Sequence, residues 1–263
     1  MSISKVTHGL TLNKRDEILG KEFETNSFGR CFIIDYAGKN EVKVAFYDPF
    51  CIVNCSMSSL KRGAVANPMK PTVYGKGYLG VGNYIPNSNV RLYKLWKNML
   101  ERVYCLKTRY RRKSYEDVAV CEDWHNFQNF AEWCLAQEHF FSKDSKGHCY
   151  QLDKDILLKG NKIYSPETCC FVPLEINSLL IFGKSRRGGF ILGVWKENSK
   201  YKACVRVERK TIYLGVFETP HKAFEVYKEA KEAHIKCVAN KWKNYIDKRV
   251  YHALMSWTVA LDD

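Results

Sequence analysis

An α+β fold is predicted, assembled from small modules rather than from one continuous sheet. Three observations predict it. Two β-rich runs surround a glycine-containing turn near residue 39. A strand, loop, strand, helix order occupies residues 149–182. Three more β-rich runs then precede an amphipathic helix within residues 184–238. Strands and helices that do not alternate as βαβα mark an α+β chain.

The sequence has 263 residues, enough for one large domain or two to three small ones. Hydrophobic residues make up 46% of it, which argues for packed cores and against disorder. The net charge of +14 predicts a polyanionic partner, either nucleic acid or an acidic membrane surface. No apolar run approaches the ~20 residues of a membrane-spanning helix, so no membrane partner is expected from one. The first residues lack the apolar stretch of a secretory leader, so a reducing, cytoplasmic setting is expected for the eleven cysteines. They are expected to be mostly core thiols. Cys51 and Cys55 form a CxxxC, and Cys169 and Cys170 are adjacent; neither is the close pair typical of structural zinc.

Residues 1–62 read as an N-terminal β module, with strands at 30–36 and 41–47. Val42, Val44 and Phe46 alternate onto one buried face. Residues 63–90 are rich in Gly, Pro and Asn and read as a linker or an ordered loop. Within them "GKGYLG" has the form GxGxxG. Tyr84-Ile85-Pro86 follows instead of a helix, and a dinucleotide site needs a helix N-terminus for its pyrophosphate. No small-molecule cofactor is expected. Residues 91–104 read as a basic amphipathic helix with Leu92, Leu95, Trp96, Met99, Leu100 and Val103 as its stripe. A loop follows with Lys107, Arg109, Arg111, Arg112 and Lys113, a charge density suited to phosphate contact. A helix is then expected over 124–137, packing through Phe127, Phe130, Ala131, Trp133 and Cys134.

In residues 149–182, "YQLDKDIL" reads as a strand and "LKGNKIYSPETC" as a loop. "CFVP" reads as a second strand, and "PLEINSLLIF" as a helix opening at Pro173. Period-two alternation puts Asp155 on the same strand face as Asp153. This ββα stretch resembles the HNH nucleases, particularly the phage and intron-encoded homing endonucleases. "LDKD" stands where that family has Asp-His, "PETCCFVP" resembles its Glu-Asn-Leu segment, and "PLEIN" stands where the helix ligand belongs. The resemblance implies a nuclease module over 91–182. It makes Asp153 and Asn177 metal ligands for Mg²⁺ or another divalent cation. It puts Lys154 in the place of the histidine base and Thr168 in the place of the asparagine that orders the loop.

The chemistry accounts for the family's pattern. Phosphodiester hydrolysis needs a nucleophilic water and a cation to neutralise charge on the phosphate. One carboxylate and one amide oxygen leave a hard cation open positions for both. A neutral imidazole suits the base because its pKa lies near 7. A lysine serves only if its pKa is depressed, which neighbouring carboxylates oppose. The catalytic candidates are therefore Asp153, Lys154, Asp155 and Asn177, with Asp155 as a third ligand or replacement base. His148 reads as a loop histidine.

A second resemblance covers residues 184–238. Gly193-Val194, "YKACVR" from Tyr201, "LGVF" from Leu214 and a helix over 220–238 are similar, in that order, to an AP2-type DNA-binding domain. Alternation puts Ala203, Val205 and Val207 on one face and Lys202, Cys204 and Arg206 on the other. The helix packs through Ala223, Phe224, Tyr227, Ala230, His234 and Val238. The resemblance makes the free face, with Trp195, Lys196, Lys202, Arg206 and Arg209, a reader of double-stranded DNA. Lys184, Arg186, Arg187 and Lys210 are expected on phosphates, as are Arg109, Arg111 and Arg112 of the basic loop. Residues 239–263 are expected to form a C-terminal helix with Trp242, Tyr245, Ile246, Val250 and Leu254 docked. The combination points to a sequence-specific, metal-dependent homing-type DNA endonuclease, of the kind found in phage-infected bacterial cells. The alternative is an inactive DNA-binding regulator or interference protein derived from one.

Overall fold

Alternation in the first β-rich runs builds an antiparallel sheet of four strands. The computed structural model describes residues 17–111, 115–180, 191–208, 210–261 and 263. Its first sheet has the order β1 (Glu22–Thr25), β2 (Gly29–Gly38), β3 (Glu41–Phe46) and β4 (Cys51–Cys55). Cys31, Ile33, Val42, Val44 and Phe46 form a core with Leu60 and Val65. Leu60 comes from α1 (Met57–Lys61), whose first turn is capped by the Ser56 hydroxyl accepting from the Ser59 amide. The turn after Gly38 and the buried alternation are as expected; β1, β4 and α1 are additional.

Residues 63–90 are an ordered loop. They pack on α2 (Val90–Tyr104), which buries Leu92, Trp96, Met99, Leu100 and Val103. A side chain at Gly77 would collide with Leu100 and Trp96, one at Gly80 with Asn126, and one at Gly82 with Gln128. Gln128 stitches the loop. Its Nε2 donates to the Leu79 carbonyl at 2.9 Å and the Tyr84 carbonyl at 3.0 Å, and its Oε1 accepts from the Tyr84 amide. Gly77 of "GKGYLG" is thus small because α2 approaches it, and Gly80 because the Asn126 side chain does.

The basic segment read as a loop is in part a helix, α3 (Leu106–Arg111). The Cys105 carbonyl accepts from the Thr108 and Arg109 amides and so starts a new helix after the chain has turned. None of the residues of α3 is buried, so hydrophobic periodicity carried no signal for it. The helix expected over 124–137 divides into a 3₁₀ turn, Glu122–His125, and α4 (Phe127–Ala136). The Trp124 carbonyl in that turn accepts from Trp96 Nε1 at 2.7 Å.

The chain divides into two compact units, Met1–Glu116 with Glu122–Ala131, and Asp117–Cys121 with Glu132–Asp263. In the second unit β5 (Ala119–Val120) pairs in parallel with β7 (Ile163–Tyr164). Between them in sequence, β6 (Gln151–Asp153) pairs antiparallel with β8 (Cys170–Val172), and α5 (Leu174–Leu179) follows. A separate antiparallel sheet has the order β11 (Lys210–Phe217), β10 (Lys200–Val207), β9 (Val194–Glu197). Helix α6 (Pro220–Trp242) packs on it and buries Ala223, Phe224 and Tyr227. Thr219 caps α6 and Pro220 fills its first turn. His234 is half-buried, and Lys231 and Ile235 are the more enclosed neighbours. The C-terminal helix is α7 (Lys248–Met255). It is shorter than expected because α6 runs on to Trp242 and Asp247 caps the new start. Among the described residues, no helix is long and apolar enough to cross a membrane.

Gly193 has φ +71°, and a side chain there would meet the Tyr227 ring of α6. Gly193→Ala is expected to cost about 3 kcal/mol, from a left-handed backbone and overpacking together. Gly160→Ala, with φ +77° and open space, carries only the backbone cost of about 1 kcal/mol. Urea denaturation of the two variants checks the difference.

Candidate functional site

The β6–β8 hairpin has two unlike faces. Leu152 pairs with Phe171 on one of them, and the Phe171 ring lies 5.8 Å from Trp133 and 5.3 Å from Phe140. Asp153 pairs with Cys170 on the other. Helix α5 lies against β6. The order is strand, loop, strand, helix, as read from the sequence, except that the segment read as a loop carries the two-residue strand β7.

The strand ends at Asp153 because its own side chain turns the chain. Asp153 Oδ1 accepts from the Asp155 amide at 2.7 Å and the Ile156 amide at 2.9 Å. Such a local turn replaces the ladder bonds that a longer strand would make. This corrects the eight-residue strand expected over "YQLDKDIL". It also corrects the expectation that Asp155 shares a strand face with Asp153, for Asp155 lies beyond the strand end. Asp155 instead accepts from Lys154 Nζ at 2.5 Å and remains half-exposed.

Lys154 is only 6% exposed. Its Nζ also donates to the Asn161 carbonyl at 3.0 Å and lies 5.8 Å from the centre of the Tyr164 ring. Asn161 returns the contact. Its Nδ2 donates to the Lys154 carbonyl at 2.8 Å and the Ile163 carbonyl at 2.7 Å, while its Oδ1 accepts from the Ile163 amide. Lys154 is therefore a tie across the loop, with its ammonium donating to two acceptors. Asn161 was not singled out in the sequence. The signal was a Gly-Asn pair between two β-rich runs, a place where an asparagine side chain can satisfy loop backbone. Thr168 contributes a smaller tie, its Oγ1 donating to the Ile163 carbonyl at 2.8 Å.

Pro173 is the N-cap of α5 and its carbonyl accepts from the Asn177 amide. Asn177 is half-buried. Among the described residues its side-chain amide makes no hydrogen bond, and Asp153 Oδ2 likewise accepts none. Burial raises the Asp153 carboxyl above its ordinary range, and Asp155 adds to the rise. The two backbone N–H groups and Lys154 oppose it. Burial also pushes the Cys169 thiol up to about 12 and raises that of Cys170, so both are poor nucleophiles.

One carboxylate and one amide oxygen fit a hard cation that keeps several waters. Among the described residues, no group of three or more His, Cys, Asp or Glu could hold a metal ion, so a thiolate or imidazole cage does not fit. His148 bonds Asp144 at 3.1 Å in an exposed loop, as expected.

The β9–β11 sheet has a second free face. Ala203 and Val205 are buried, whereas Arg206 is exposed. Register puts Lys202 opposite Trp195, Cys204 opposite Tyr213 and Arg206 opposite Thr211. Trp195, Lys196, Glu197, Lys202, Cys204 and Thr211 line a shallow hollow of about 290 Å³. Cys204 is its floor, 7% exposed, and Trp195 stands 52% exposed. Tyr213, 58% exposed, was missed, although the same alternation places it there; Lys202 Nζ lies 5.4 Å from its ring centre. Two acidic partners sit at one end, with Lys200 on Glu218 at 2.7 Å and Lys202 near Glu197 at 3.8 Å. Lys210 is exposed at the start of β11.

In the first unit, Arg109 donates to the Glu116 carbonyl. Arg111 lines a hollow of about 380 Å³ with Asn98, Glu101, Arg102 and Thr108. Arg112, Lys113, Lys184, Arg186, Arg187 and Arg209 lie outside the described residues. No protein-family model, curated protein or solved structure matches this chain.

Asp153→Asn keeps the turn-capping oxygen and removes the buried charge. A raised carboxyl pKa weakens the folded state once the pH exceeds the ordinary carboxyl value near 4, because the unfolded chain ionises more easily. Without added metal, the variant is expected to melt above wild type at pH 7, each 1 kcal/mol being worth roughly 2–4 °C. The gain should vanish below about pH 4, where the carboxyl is protonated in both states. Calorimetry across pH checks the sign. Asn161→Ala is expected to cost about 2–3 kcal/mol by orphaning loop backbone groups. Faster hydrogen exchange at the Ile163 amide would mark that loss.

Proposed function

We propose that the chain is a sequence-specific DNA endonuclease. The sheet β9–β11 chooses the site, and the β6–β8–α5 element hydrolyses a phosphodiester with Mg²⁺ or a similar cation. The observation that supports this reading is that the helix bearing Asn177 lies against the strand that ends at Asp153. Both residues have an oxygen unused by the described protein. Their order along the chain resembles that of HNH nucleases. When bound, the cation supplies charge neutralisation and an acidified water.

The residues of the chain would divide the remaining work. Asp153 and Asn177 hold the cation. The Lys154–Asn161 tie fixes the loop beside them. The free sheet face, similar to that of AP2-type domains, offers Arg206 to a base edge and Trp195, Lys202 and Tyr213 to the groove. The basic helix α3 adds phosphate contacts that position without specifying.

A second reading has one observation in its favour. Lys154 stands in the place of the family's histidine base and is buried with its ammonium engaged. A chain that kept the scaffold while losing the base would be a DNA-binding regulator.

Cleavage of phage genomic DNA by the full chain, with Mg²⁺ and with EDTA, separates the two. On the endonuclease reading, wild type cuts only with Mg²⁺. Asp153→Ala and Asn177→Ala then lose at least about 100-fold in rate while still binding DNA. Tight, specific binding without any cleavage would transfer the chain to the regulator reading. Arg206→Ala is expected to weaken specific binding by roughly 1–3 kcal/mol and non-specific binding much less. Equal losses on both DNAs would rule out base readout by Arg206.

A further inference from the structure

Helix α5 has six residues, too few to be stable alone. Its place must come from tertiary ties, and two of them come from one neighbour. Near the start of α5, the Glu175 carboxylate accepts from Lys241 Nζ at 2.9 and 2.8 Å and from Trp242 Nε1 at 2.9 Å. At its end, the Leu179 carbonyl accepts from the buried Lys231 Nζ at 2.8 Å. Lys231, Lys241 and Trp242 all belong to α6, and His234, between them on the same stripe, is close enough to Glu175 to feel its charge. The two ties bracket Asn177.

Helical geometry gives the bracket a direction. Glu175 and Leu179 are four apart and share a face, whereas Asn177, two residues on, lies about 200° around the helix from Glu175. Holding Glu175 therefore fixes the rotation of α5 and with it where Asn177 points. We propose that Glu175, clamped by Lys241 and Trp242, is the positioning residue for Asn177 as a cation ligand. This rests on the metal-site reading above. It adds that α6, which packs the DNA-facing sheet through its first half, aims the ligand through its second.

The test uses Mn²⁺ as the probe, titrated into the full chain without DNA and followed by the electron paramagnetic resonance of the free ion. Wild type should bind Mn²⁺, and Asp153→Ala and Asn177→Ala should bind it at least about 10-fold more weakly. Lys241→Met should weaken binding about 10-fold, in the range typical for groups that orient a ligand, and Lys241→Arg should restore it. Circular dichroism confirms that each variant is folded. Should Lys241→Met fold poorly, Glu175→Gln, which keeps an acceptor for Trp242, carries the same expectation. Wild-type affinity in folded Lys241→Met or Glu175→Gln, with Asn177→Ala weakened, would overturn the positioning role alone. Indifference of Mn²⁺ binding to Asp153→Ala and Asn177→Ala would overturn the metal site itself.

Discussion

The second unit depends on one long helix. Among the described residues its sheets have three strands or two, and a two-stranded pair alone is marginal in water. Helix α6 has 23 residues, about 34 Å of length, and serves two elements in turn. Apolar residues face the β9–β11 sheet, and then charged and aromatic residues face α5. The change of chemistry along one stripe follows from what is offered. A sheet face offers apolar area, whereas a short helix offers a carboxylate and an unsatisfied terminal carbonyl. Burial works to raise the Glu175 carboxyl, yet the bonds from Lys241 and Trp242 and the Lys241 charge outweigh it. The contact therefore favours the ionised acid.

The loop between β6 and β8 has a different origin. It has little hydrophobic anchoring beyond Ile156 and Tyr164, and its order comes from polar groups that answer one another. Asp153 caps the turn, Asn161 bridges Lys154 to Ile163, and Lys154 spans back to the Asn161 carbonyl. Lys159 adds a bond to the Thr258 carbonyl and an ion pair with Asp263. A loop held this way keeps its shape without a packed core, but each polar group taken into it must find its partner.

Much of this was legible in the sequence where periodicity was strong. The alternation at Val42, Val44 and Phe46 and the stripe of α2 reappear. In β10, Ala203 and Val205 are buried with Arg206 exposed, but Cys204, expected on the free face, is buried as well, beside a register shift between Ala203 and Cys204. What escaped were elements without period. Helix α3 buries nothing, and strands of two or three residues such as β5 and β7 are too short to alternate. At the candidate site, Asp153, Asn177 and Lys154 could be named from their order along the chain. Asp155 was placed wrongly because alternation was carried past a residue whose side chain ends the strand. The Glu175 clamp was invisible for another reason. It acts through partners distant in sequence, Lys241 and Trp242, and leaves no pattern in composition, whereas Asn161 left only its Gly-Asn pair.

The Gly/Pro/Asn-rich stretch before α2 has the composition of a seam. It would attract anyone wishing to separate the N-terminal sheet from α2 and α4. Yet Gly77 sits on Trp96 and Leu100, and the Gln128 amide is saturated by backbone of that same stretch. A cut there would uncover a buried indole and strand a buried amide at once. Proteases, insertions and domain swaps should therefore be resisted at the very place where residue counting alone would invite them.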